Sequence, residues 1–300
     1  QKAEQNGEKR MATQKMLFDV YLELGDDDLA EAYLNKFKNL SDFDYLIRLA
    51  KWSDHQGNLE NAITYFEMAK RIAESAKNKN QLQWIYSNLG DVYGHANRIS
   101  DSYDHYLKAL ELNPDDAYSL KGIAWIIYSH EKNPKEALRI LDRVTEMNAS
   151  PDYFLLKAEI AEFMNDSLAK EKNLNRYLQL VTNKNYGQMY NKHNILLATD
   201  EFDNATNALE KAQQEIKLRA TPQSYDLLAW SYYVNGDVKK ALTIVEEKVV
   251  NKTFEPEVQY HIAEIYKANG LGKDAKKLKR ELLESAYELG PLLIEKIKLL

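Results

Sequence analysis

The chain has no cysteine among its 300 residues, so neither a disulfide framework nor a thiolate ligand or nucleophile is available to it. Proline is scarce. Its six copies, at Pro114, Pro134, Pro151, Pro222, Pro256 and Pro291, fall where helices should begin or end. Strand-like alternation is missing, and no apolar run approaches the roughly 18 residues that a membrane-crossing helix needs. Positive charge is also in short supply. The formal net charge of −6 comes with no basic stripe of the kind a phosphate backbone requires, which argues against nucleic acid as a partner. The six histidines, His55, His95, His105, His130, His193 and His261, show no His-Glu-x-x-His spacing, and nothing resembles a glycine-rich phosphate loop. The expectation is therefore a chain without catalytic residues, without a metal site and without a cofactor. Asp26-Asp27-Asp28 is acidic enough to suggest calcium, but its place at a helix start favours capping of backbone amides.

What is present is a spacing. A turn residue, usually glycine, is followed five positions later by alanine: Gly25 and Ala30, Gly57 and Ala62, Gly236 and Ala241, Gly270 and Ala275. Softer copies read Asn97 and Ser102, Lys132 and Ala137, Asp200 and Ala205. Seven residues before the turn stands another small residue in most copies, Ala50, Gly90, Ala124, Ala229 and Ala263. Between them come Tyr21, Tyr93, Tyr232 and Tyr266. Small residues on both arms of a hairpin let two helices approach closely, and the tyrosines fill the space beside them. Self-similarity with a period of roughly 34 residues means stacked helical hairpins, in an all-α chain whose core grows by adding units.

Residues 84–114, WIYSNLGDVYGHANRISDSYDHYLKALELNP, closely resemble a tetratricopeptide repeat, with Leu89-Gly90, Tyr93, Tyr106, Ala109-Leu110 and Pro114 in the order that family shows. Residues 227–249 are similar. The resemblance extends to about eight units, with helix pairs near 11–40, 43–78, 82–114, 117–149, 152–182, 185–218, 222–251 and 256–288. Units five and six are weakest, because Asn173, Arg176 and His193 stand where apolar or small residues are expected. The 40-residue step from Ala62 to Ser102 predicts helices longer than usual around residues 76–83. The family implies a right-handed superhelical solenoid whose first helices line a concave groove. It further implies a scaffold that binds a protein or peptide rather than an enzyme.

Carried onto this sequence, the groove set is Lys51, His55, Trp84, Asn88, Asp91, His95, Tyr118, Lys121, Trp125, Tyr128, Trp230 and Tyr233. Tyrosine and tryptophan are enriched among interface hot spots, so an aromatic groove suits an extended peptide, a helix or a loop. Aromatics at helical spacing also serve simply as packing between neighbouring units. A second use of the same groove is capture of a small molecule or glycan by ring stacking. The carboxylate clamp of co-chaperone repeats does not fit, since Ile47, Tyr118 and Gly122 occupy clamp places and only Asn88 matches.

Residues 1–10 read as a polar tail or spacer, 11–289 as the repeat domain and 290–300 as a capping helix. Pro291 suits a first helical position, and Leu292, Leu293, Ile297 and Leu300 share one side. That stripe should cover the edge of the eighth unit or mediate a homodimer. The start at Gln1 and the polar tail fit an exported, surface-tethered or periplasmic protein whose signal was removed, with a cytoplasmic location as the alternative. If Ala241 stands at a helix crossing, Ala241→Leu should cost about 1–3 kcal/mol through overpacking. A melting temperature equal to the wild type's would refute that placement.

Overall fold

A computed structural model describes residues 10–202 and 204–300; residues 1–9 of the expected polar tail lie outside the described residues. Among the described residues there are 17 α-helices and no strand. Sixteen follow one another as helix–turn–helix pairs: α1 (Met11–Glu23) with α2 (Asp27–Lys36), α3 (Phe43–His55) with α4 (Leu59–Ser75), and α5 (Lys79–His95) with α6 (Ile99–Leu112). Next come α7 (Ala117–Ser129) with α8 (Pro134–Met147), and α9 (Pro151–Phe163) with α10 (Ser167–Val181). The last pairs are α11 (Asn191–Asp200) with α12 (Ala205–Leu218), α13 (Pro222–Val234) with α14 (Val238–Lys248), and α15 (Pro256–Ala268) with α16 (Gly272–Glu284). A final helix, α17 (Ala286–Lys298), follows them. The architecture is a solenoid of helical hairpins, as the turn spacing implied.

The turns form where a left-handed residue is available. Gly25, Gly57, Gly236 and Gly270 all have positive φ, and Asn97, Lys132 and Asn165 adopt the same conformation at the equivalent places. The residue after the turn commonly caps the next helix: Asp26 accepts from the Leu29 amide, Asn133 from Glu136, Asp166 from Ala169 and Asp237 from Lys240. The acidic run at residues 26–28 thus begins with an N-cap. As the long repeat step required, α4 and α5 are 17 residues each, against 13 for α3 and α7.

The described residues divide into two compact units, the first made of those within 10–72, 191–280 and 300, the second of 73–190 and 281–299. In the first unit, α1 packs on α2, and Tyr21 stacks on Tyr33 at 5.4 Å. There too, α11 packs on α12, α13 on α14, and α12 on α13, around fully buried Ala208, Ala212, Ala229, Ala241 and Ala263. Hairpin six departs from the sequence reading. Asp200 ends α11 in helical conformation instead of forming a left-handed turn, and Asn204 caps α12. The buried small residue is therefore Ala208, three positions beyond the expected Ala205, which is half-exposed. Helix α11 also begins at Asn191 instead of near 185, because a 3₁₀ turn at Lys184–Tyr186 and Gly187 at φ +53° intervene.

In the second unit α5, α7 and α9 are the first helices of three successive hairpins, each packed on its partner α6, α8 or α10. The hairpins join through contacts of α6 with α7, α8 with α9, and α5 with α7. Tyr106 is the wedge of this stack. A Cβ built on Gly90 would sit 2.5 Å from its ring, and one on Gly122 would sit 2.3 Å away, so α5 and α7 can both close on Tyr106 only because those residues are glycine. Gly122→Ala should therefore lower stability by about 1–3 kcal/mol through overpacking. Gly272→Ala, with no atom within 4 Å of the added carbon and an ordinary φ, should be neutral or mildly stabilising. Urea midpoints for the two variants check this; equal shifts would contradict the wedge.

Candidate functional site

The face formed by α5, α7 and α9 holds a helix of the chain itself. Helix α17 packs against all three, within the second unit. Residues 290–300, expected as a cap on the eighth hairpin, thus find their cover on the first helices of hairpins three to five. The physical reason lies in Pro291. In a regular helix the Tyr287 carbonyl would accept from the amide of residue 291, and proline has no amide hydrogen. Gly290 breaks the helix there, at φ 74° and ψ 167°. The Tyr287 carbonyl instead accepts from the Trp125 indole Nε1–H at 3.0 Å and from the Ser129 hydroxyl at 2.7 Å.

The neighbouring atoms are shaped to that kink. The Tyr287 ring lies on Gly94, where a Cβ would come within 2.5 Å of Cε1, and its hydroxyl pairs with that of Ser102. The Ser102 hydroxyl in turn donates to the Gly90 carbonyl at 2.6 Å. Gly290 rests against Trp125 and Glu159, with only 2.8 Å between an added Cβ and Trp125 Cη2. Burial, together with the nearby Asp91 and Glu288 carboxylates, pushes the Tyr287 phenol above its usual range. It is a neutral hydrogen-bonding group at any physiological pH. Leu289, Pro291 and Ile297 are buried.

The twelve residues expected in the groove fall in both units, and their environments differ. Trp84 and Asn88 are half-buried on α5, with the Asn88 amide donating to the Trp84 carbonyl of its own helix. Asp91 accepts from the hydroxyls of both Tyr106 and Tyr118. Burial first, then the Asp91 charge, raises both phenols. Tyr118 itself remains 49% exposed, His95 is exposed at the end of α5, and Lys121 lies half-buried near Asp152. Trp125 touches α17, whereas Tyr128 is a core residue at 0% exposure, packed edge-on to Phe163 and donating to Glu159 at 3.1 Å. Ile127 and Tyr128, adjacent on α7, are both buried. Of the remainder, Lys51 is exposed on α3, and His55 Nε2 pairs with Asp27 at 3.0 Å.

In the first unit, α11, α13 and α15 carry a different arrangement. Trp230 is only 6% exposed, stacked on His261 at 4.2 Å and on Tyr233 at 4.9 Å, and its indole N–H donates to Asp200. His261 Nδ1 lies 2.8 Å from the Asp226 carboxylate, and both are buried. Burial alone would lower the imidazole's affinity for its proton, but the Asp226 charge and hydrogen bond, helped by Glu257 and Asp200, raise it above the ordinary value. Lys192 and Glu257 form a second ion pair beside it, at 2.6 Å. Sequence reasoning put Asp226 on this face with Trp230 and Tyr233 but had no signal that it pairs with His261 beneath the rings. It also passed over Ser129, Gly94 and Tyr287, and read Ser102 only as the small residue after a turn. The signal for Tyr287 was available, since a proline four residues on always strands a helical carbonyl.

The His261 shift has a sign that can be measured. A raised folded value means that the pair's contribution is fully present below the unfolded imidazole pKa of about 6.5 and is lost as pH rises through the higher folded value. Urea midpoints of the wild type should therefore fall as pH increases above about 6.5, with a slope that His261→Gln lacks. Identical pH slopes for the two proteins would rule out a charged, Asp226-paired imidazole.

Comparison with known proteins bears on this geometry. The tetratricopeptide repeat family model matches residues 44–115. No curated protein sequence matches the chain. Among solved structures, the human IFIT1 dimer with m7Gppp-AAAA is similar at 15% identity, covering 91% of this chain and 68% of its own, with a TM-score of 0.52. The human IFIT1 dimer with PPP-AAAA is similar at 17% identity over 91% and 67%, with a TM-score of 0.50. A tetratricopeptide repeat protein from Parabacteroides merdae shares 16% identity over 87% of this chain and 97% of its own, at a TM-score of 0.47. At these identities the likeness is one of fold. The tetratricopeptide repeat signature thus stands at residues 44–115, and helical hairpins continue throughout the described residues.

Proposed function

We propose that the chain is a non-enzymatic scaffold that takes a peptide or helix of a partner protein on the faces made by the first helices of its hairpins. The observation that carries this reading is α17, a helix held on such a face by two donors to one backbone carbonyl and by ring packing. The chemistry on display is that of a helix in a groove: backbone polar groups give register, and rings give contact area. A small-molecule or glycan reading needs open tryptophan faces. Trp125 is engaged with α17, and Trp230 is stacked between protein rings, so the protein-partner reading is favoured.

Nucleic acid is disfavoured on charge. The capped and triphosphate oligonucleotides belong to the human IFIT1 structures, and a net charge of −6 offers little to a phosphate backbone. Likeness to this repeat family points to scaffolding, and among the described residues no constellation of acid, base and nucleophile supports an enzymatic role. A homodimer through the buried side of α17, at Leu289 and Ile297, would need that helix to leave the cover it already has.

Photo-crosslinking tests the assignment. A benzophenone side chain placed at Tyr118 on α7 or Tyr233 on α13 should capture partner peptides, while one at Arg139, 71% exposed on the second helix α8, should not. Crosslinks arising only from Arg139 would move the partner surface away from the first helices.

A further inference from the structure

Everything that fixes the kink of α17 is contained in five consecutive residues, Tyr287 to Pro291. The proline strands the Tyr287 carbonyl, and Trp125 and Ser129 supply its two donors. The glycine lets the backbone pass against Trp125, where any Cβ would collide. The tyrosine ring uses the space left open by Gly94 and reaches Ser102. None of these features depends on α17 being joined to α16, so another chain carrying the same element would meet the same contacts.

Resting on the reading above, we propose that the face of α5, α7 and α9 is a recognition site for one class of partner. That class is a segment with a tyrosine three residues before Gly-Pro, followed by a short apolar helix, and α17 is its built-in occupant. The site reads a stranded carbonyl. A straight helix already spends one lone pair of that carbonyl internally, so it has room for at most one of the two donors, Trp125 Nε1 and Ser129 Oγ. The donor left without a partner makes a regular helix the weaker ligand, so a proline-kinked segment is selected over it. The resident copy is tethered and competes at an effective concentration on the order of millimolar, so a partner with only the same contacts replaces it at about millimolar concentration, and a scarcer one must add contacts of its own. Replacement frees residues 286–298 and turns α17 from a ligand into a released segment.

The test uses two synthetic peptides, residues 284–300 and the same sequence with Pro291→Ala, which restores the missing amide hydrogen. The receptor is the full chain carrying Tyr287→Ala and Pro291→Ala, which loosens its own α17; circular dichroism shows whether it keeps its helicity. By fluorescence anisotropy the unmodified peptide should bind at least about tenfold tighter than the altered one, the value of one satisfied hydrogen bond. That preference should vanish when Trp125→Phe and Ser129→Ala are added to the receptor. Equal binding of the two peptides, or binding of neither, would overturn the proposal. Should the loosened receptor fail to fold, hydrogen exchange on the wild-type chain decides. Excess unmodified peptide should speed exchange of the amides of residues 288–298, and no change at millimolar peptide would overturn the proposal as well. Loss of the peptide preference with crosslinks retained at Tyr118 and Tyr233 would remove the Gly-Pro reading while leaving the scaffold reading intact.

Discussion

Two helices of this chain can lie close only where almost no side chain stands between them. Fully buried Ala30, Ala62, Ala137 and Ala241 meet that demand on the second helices, and Ala50, Ala124, Ala229 and Ala263 meet it on the first. The tightest case is Tyr106, whose ring occupies the space left by two glycines, Gly90 and Gly122, on neighbouring first helices. Because hairpins close in this way, α5, α7 and α9 are brought side by side and present one surface. Larger residues at the crossings would separate the helices, and no such surface would exist for α17 to meet.

That surface is met by a deliberately incomplete helix. A proline inside a helical segment normally costs stability by deleting a hydrogen bond. Here the deficit is offset across the fold, since Trp125 and Ser129 on α7 give the Tyr287 carbonyl the donors that residue 291 cannot. The same kink needs Gly290, whose φ of 74° is strained for other residues and whose missing Cβ leaves room for the Trp125 ring. Docking and kinking are one event. In the first unit the corresponding helices instead surround a buried charged pair, His261 and Asp226, under the Trp230 ring, so its first-helix face has its own chemistry.

Much of this architecture could be read in the sequence, because turns and crossings leave local marks. A left-handed residue followed five positions later by a small one locates a hairpin from a single strand of text, and it worked at Gly25, Gly57, Asn97, Lys132, Gly236 and Gly270. It slipped in hairpin six, where Asp200 mimics a turn residue but is the last helical residue of α11, and Ala208 replaces Ala205 at the crossing. The candidate site was less legible. Helical spacing assigns residues to a face but does not say what covers it, so Trp125 could be picked out and its partner could not. Tyr287 is 162 residues away along the chain. An apolar stripe such as Leu292, Leu293 and Ile297 asks for cover without saying whose. Tyr128 shows the same limit: helical spacing put it on the groove side, but its ring is wholly buried against Phe163.

The account stands on α17 lying across the first helices of the second unit, and its lysines allow a direct measurement on the unmodified chain. Lys298 is close enough to Lys132, just past the end of α7, for its charge to lower the Lys132 pKa, although burial is the larger cause. A short amine-reactive crosslinker followed by mass spectrometry should therefore yield an intramolecular Lys132–Lys298 link in the monomer. Reaction of Lys298 elsewhere, with no link to Lys132 at any reagent concentration, would contradict the docking of α17 and with it the site described here.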